Sequence, residues 1–120
     1  MNKPRSVSTP KAVQDCHQLL EWMIPLLDKF PRVRRFTLGE RIEQGVLTVL
    51  EELIRASYGT NKVQALTQAN ISLDVVRHLW RLSFQLKVIP VNRYDHGSQL
   101  MEALGRQIGG WRKQQSGRSQ

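Results

Sequence analysis

Apolar residues recur along most of this chain at alternating intervals of three and four, the seam period of helices packed against one another. Val13, Cys16, Leu20, Met23, Leu27 and Phe30 keep that rhythm and predict a first helix over about 10–29. Pro25 lies off the seam. Its missing N–H and its crowding of the carbonyl four residues back cost roughly 3 kcal/mol inside a helix. Because they fall on another face, they bend the helix and leave the packing stripe continuous. Pro31 then ends it, since the residue before a proline avoids the helical region. Thr37 and Glu40 read as a capping box that opens a second helix over about 38–57, with Phe36 as the outer half of a hydrophobic staple. Ile42, Val46, Val49, Leu53 and Ala56 form its main stripe, and Leu47, Leu50 and Ile54 a second. Gly59 is placed to close this helix in the left-handed conformation.

A third helical segment over about 62–88 carries two stripes as well: Val75, Leu79, Leu82, Leu86 and Ile89, beside Leu73, Val76, Trp80 and Phe84. The stretch Asn70 to Ser72 is read as lying inside one helix. After Pro90, a residue tolerated at a helix start, Tyr94, Gly97, Met101, Leu104, Ile108 and Trp111 give a fourth seam. Gly105 and Gly109 are four apart and share a face, where two glycines suggest the close approach of another backbone. No segment alternates at the strand period. Four helices with short connections predict an all-α fold, an antiparallel four-helix bundle over 10–113 between disordered tails at 1–9 and 114–120. The surplus stripes on the second and third helices have two readings: a single wide buried face, or a surface between subunits of a symmetric oligomer.

Composition narrows the partners. In 120 residues there are 18 Lys and Arg against 10 Asp and Glu, a net charge of +8, so the overall field attracts polyanions. No apolar run is long enough for a membrane span or a leader, which points to a soluble, untargeted protein of the cytoplasm. The single cysteine, Cys16, cannot pair within the chain and sits on an apolar seam, where a buried structural thiol is expected.

Candidate chemistry is sparse. His17, His78 and His96 stand in three different segments with no i, i+4 pairing among them, and the glycines match no phosphate loop. Neither an enzyme nor a cofactor or metal site is expected. Cations are more informative. Arg32, Arg34 and Arg35 crowd the connection between the first two helices, with Arg41 just beyond. Arg77 and Arg81 are an i, i+4 pair with only Asp74 close in sequence, and Arg106, Arg112 and Lys113 extend the basic side of the last helix. Any one of these can be a solvated charge or half of an ion pair. As a set they favour a surface for a polyanion, with Arg77, Arg81, Arg34 and Arg35 foremost. Trp22, Trp80 and Trp111 sit mostly on apolar stripes and are read as core, not as base-stacking platforms.

The stretch 24–42, IPLLDKFPRVRRFTLGERI, together with GRQIGGWRK at 105–113, carries a resemblance. It is similar to the four-helix-bundle family that includes Avd, the accessory variability determinant of diversity-generating retroelements, and the proteins of ribosomal-RNA intervening sequences. The most telling residues are Trp22, Pro25, Leu26, Phe30 and Pro31, then RFTLGER at 35–41, then Gly109, Gly110 and Trp111. The likeness implies a homopentameric barrel of bundles that binds a reverse transcriptase and its template RNA, and DNA as well, to support mutagenic copying without catalysis of its own. It also implies that Pro25 and Pro31 are family features, the first bending helix one and the second throwing the arginine-rich turn toward helix two. Two alternatives stay open: an RNA-associated family member outside any retroelement, and an oligomeric scaffold that binds only protein.

Overall fold

Where Pro10 stands before the first apolar seam, the chain turns into helix. The structure, a computed structural model, describes residues 9–59 and 61–118. Helix α1 spans Lys11–Leu27, and the carbonyl of Pro10 accepts the N–H groups of Val13 and Gln14 at 3.1 and 3.2 Å. Pro25 lies on its exposed side, and every seam residue from Val13 to Phe30 is buried. After an α-helical turn at Arg32–Arg34 and a π-helical turn at Arg35–Gly39 comes α2, Glu40–Tyr58. Helix α3 spans Lys62–Gln85 without interruption at 70–72, and α4 spans Val91–Arg118. In this four-helix bundle α2 packs most extensively on α3, α3 on α4, and α1 bridges α2 and α4. Helix α4 runs past 113, the end expected for the bundle. Of the tails expected to be disordered, 1–8 and 119–120 lie outside the described residues.

The start of the second helix differs from the capping-box expectation. Pro31, not Thr37, occupies the cap position, and its carbonyl accepts the N–H groups of Arg34 and Arg35, each at 2.8 Å. The Thr37 hydroxyl instead donates back to the carbonyls of Val33 and Arg34, at 3.0 and 3.3 Å. Phe36 is exposed, so it is no staple. The apolar place at this corner is taken by Phe30, whose ring lies against the buried Gly39. The wide turn at Arg35–Gly39 is a π-bulge, a device that shifts the helical phase by one residue and is frequent at functional sites.

Helix ends also depart from expectation. Gly59 is extended at φ −87°, ψ 178°, and its N–H donates to the Arg55 carbonyl at 2.7 Å. The left-handed residue is Lys87, at φ 64°, which closes α3. There the N–H of Val88 reaches the Ser83 carbonyl at 2.8 Å and that of Lys87 reaches Phe84 at 2.9 Å, the paired bonds of a Schellman cap. A side chain in this conformation costs roughly 1–2 kcal/mol, of which the greater freedom of an unfolded glycine cancels part. Lys87→Gly is therefore expected to stabilise the fold by about 0.5–1 kcal/mol and to raise Tm by a few degrees in a thermal melt followed by circular dichroism.

At the centre of the bundle Trp80 is fully buried. Its indole N–H donates to the Tyr94 carbonyl at 3.0 Å, and Trp22 meets it edge-on at 6.0 Å between centroids. Gly97 makes room for it, since a Cβ there would lie 2.6 Å from the indole Cζ2. Gly45 does the same for Val76 between α2 and α3, where a Cβ would sit 2.5 Å from Cγ2. These two are the glycines at which a neighbouring helix approaches closely. A Cβ on Gly109 would meet nothing within 4 Å, and one on Gly105 would make only ordinary contacts.

The surplus apolar stripes resolve unequally. Leu47, Leu50 and Leu79 are half-buried against the core. Ile71, Val75, Leu82 and Leu86 remain 40–53% exposed and line one side of α3 at helical spacing. One wide buried face therefore accounts for only part of the surplus.

Candidate functional site

Helix spacing places Arg77 and Arg81 one turn apart, about 6 Å along the axis of α3. Both are exposed, and both line a pocket of about 260 Å³ between α3 and α4. The opposite wall is Tyr94, Ser98, Met101 and Glu102, and His78 completes the α3 side. Met101 is the buried floor residue that anchors α4 to the core. Tyr94 stacks on Phe84 with ring centroids 4.4 Å apart, which fixes the entrance to the α4 wall.

The charges here are unbalanced. Asp74, the acid nearest in sequence to the two arginines, turns to His78, with Oδ2 3.9 Å from Nε2. Glu102 faces Arg106 at 3.5 Å, one turn further along α4. Among the described residues no carboxylate forms an ion pair with Arg77 or Arg81. Two like charges at i, i+4 repel by a few tenths of a kcal/mol, a penalty that an anion in the pocket would reverse. Hydroxyl donors from Ser98 and Tyr94 suit the same occupant, because phosphate oxygens accept both kinds of hydrogen bond.

The remaining cations of the predicted polyanion surface are distributed elsewhere. Arg106 stands beside the pocket through Glu102. Arg112 is drawn to the bundle instead, its Nε–H donating to the Thr67 hydroxyl at 2.7 Å and tying the far end of α4 to the start of α3. Lys113 is exposed next to it. Arg32, Arg34, Arg35 and Arg41 gather around the π-helical turn, where Arg35 reaches Asp28 at 3.8 Å. The structure thus forms two cationic groups, one in the α3–α4 pocket and one at the α1–α2 corner.

The single cysteine is held inside the bundle. Cys16 is buried, its thiol 3.8 Å from the Val46 carbonyl, and burial pushes its pKa up to about 12, so it stays protonated. Among the described residues no three His, Cys, Asp or Glu side chains are grouped to hold a metal ion. Among the same residues no helix is long and apolar enough to cross a membrane.

His78, Tyr94, Ser98 and Glu102 are members of the site that residue spacing alone does not single out. Asp74 and His78 at i, i+4 were the available signal on α3; the α4 wall becomes visible only once Gly97 has let that helix approach Trp80.

Comparison with known families settles what this bundle is: residues 11–115 match the bAvd-like family. The chain belongs to that family. No curated protein and no solved structure matches the chain. The bAvd-like match covers α1, α2, α3 and α4 as far as residue 115, with both cationic groups, and the family is one of non-catalytic accessory proteins. This chain is accordingly an Avd-type accessory protein.

Proposed function

We propose that this bAvd-like protein is the accessory subunit of a diversity-generating retroelement, holding template RNA and reverse transcriptase together while taking no part in bond chemistry. The observation that carries the reading is the α3–α4 pocket. It joins Arg77 and Arg81, neither of which forms an ion pair with a carboxylate among the described residues, on a chain of net charge +8. Guanidinium groups in that position neutralise phosphates with little regard for base sequence. Copies of the chain assemble through the exposed apolar side of α3 formed by Ile71, Val75, Leu82 and Leu86. A symmetric ring, a pentamer by family resemblance, would multiply the basic pockets around one assembly and raise avidity for a long polyanion. Work of this kind belongs in the cytoplasm, where the RNA and its polymerase meet.

Fluorescence anisotropy of a labelled structured RNA across a salt series tests this. If about six phosphates are neutralised, affinity falls roughly a thousandfold between 50 and 200 mM salt. Absence of binding at the lowest salt would overturn the nucleic-acid reading and leave the charge to protein contacts.

A further inference from the structure

The corner between α1 and α2 presents a second arrangement that the pocket does not use. Phe36 stands in the π-helical turn as a residue 56% exposed, although an aromatic ring of this size is ordinarily drawn into the core. Its outward position has a local cause. Phe30 already fills the apolar place against Gly39, and the extra residue of the π-turn rotates Phe36 away from α1. The Thr37 hydroxyl, tied back to the carbonyls of Val33 and Arg34, holds the turn in that shape.

Cations flank the ring along the chain. The Arg35 guanidinium lies over one face of the ring, 5.4 Å from its centroid, and is steadied by Asp28 at 3.8 Å, so a base would stack on the opposite face. Arg32 stands four residues before Phe36 and Arg41 five after it, so positive charge stands on either side along the chain. Residues 28–41 hold five Lys and Arg against two acids. An exposed π-face within a strip of guanidinium groups complements a ligand that offers negative charge and flat rings together. Duplexes keep their bases stacked inside, whereas an unpaired strand exposes them.

We propose that Phe36 is a stacking platform for an unpaired base of a single-stranded nucleic acid whose flanking phosphates lie on Arg32, Arg35 and Arg41. This rests on the nucleic-acid reading above and adds strand specificity to it. The α3–α4 pocket, whose aromatic wall residue Tyr94 is already stacked on Phe84, takes phosphates of either form; the corner takes only unpaired strand. Together they would let the protein hold a folded template while keeping one segment open.

The test compares a labelled 20-nucleotide unstructured RNA with the same sequence annealed as a blunt duplex, at fixed low salt. Wild-type protein, Phe36→Ala, Phe36→Leu and Phe36→Tyr are measured by anisotropy, with sedimentation velocity on each. Alanine and leucine should both weaken the single strand about tenfold, leucine included because it keeps apolar bulk without a π-face. Duplex affinity should stay within about twofold, and tyrosine should match wild type. Unchanged single-strand affinity in Phe36→Ala, or equal loss for strand and duplex, overturns the proposal. A changed sedimentation coefficient at constant RNA affinity overturns it too and assigns Phe36 to a contact between copies. If wild-type protein binds neither RNA, the nucleic-acid reading itself fails; binding by wild type with indifference at Phe36 removes the stacking platform alone.

Discussion

Trp80→Ala is expected to cost about 3–5 kcal/mol, the range for truncating a fully buried large aromatic. Three losses act together. The burial of the indole against α1 and α4 is lost, the Tyr94 carbonyl loses its donor, and Trp22 loses its partner. Against a total stability on the order of 5–15 kcal/mol, such a loss lowers Tm by roughly 15 °C or unfolds the domain outright. Urea unfolding followed by far-ultraviolet circular dichroism should show a lower midpoint with the slope unchanged. Gly97→Ala probes the same contact from the other side, where the added methyl is forced onto the indole and costs about 1–3 kcal/mol. In the double variant the two losses should not add, since removing the ring opens the space that the methyl needs. A Trp80→Ala midpoint equal to wild type would contradict the placement of this side chain at the junction of the helices.

That junction was half legible in the amino-acid pattern. Trp80 lay on an apolar stripe, and the seams of all four helices kept their period because burial selects side chains by helical face. Ile42, Val46, Val49, Leu53 and Ala56 are each wholly buried for that reason. Glycines misled in the opposite sense: Gly105 and Gly109 share a face of α4, but only neighbours in space decide where a missing Cβ matters, and those neighbours lie at Gly97 and Gly45. The capping box failed through competition. Thr37 and Glu40 have the right spacing, yet Pro31 begins the helix earlier, and the π-turn carries Thr37 inside it. Gly59 is an extended residue and Lys87 takes the left-handed place, because the bonds from Val88 and Lys87 to the end of α3 demand that conformation whatever residue stands there.

The site divided along the same line. Arg77 and Arg81 were visible as a pair from their spacing on one helix. Their pocket was not, since its other wall comes from residues some twenty positions away on α4. Arg112 shows the limit of reading charge alone: as a cation near the end of the chain it resembled the others, and its hydrogen bond to Thr67 sets it apart.

Arg77→Ala/Arg81→Ala is the second large effect. Both side chains are exposed on a helix that alanine favours, so the double variant should fold as wild type does and keep its Tm within a few degrees. Its binding should not. Each lost phosphate contact removes about 0.9 from the slope of log affinity against log salt on a duplex and about 0.7 on a single strand. The pair therefore lowers the slope by roughly 1.4–1.8, with affinity at low salt down at least tenfold.

Measuring that slope is the most direct test that the α3–α4 pocket is where nucleic acid is held. Labelled structured RNA is titrated with wild type and with Arg77→Ala/Arg81→Ala at several salt concentrations, circular dichroism confirming that both are folded. A shallower slope and weaker binding in the double variant are the predicted result. Coincident lines would contradict the account, because the charge that binds RNA would then lie outside this pocket.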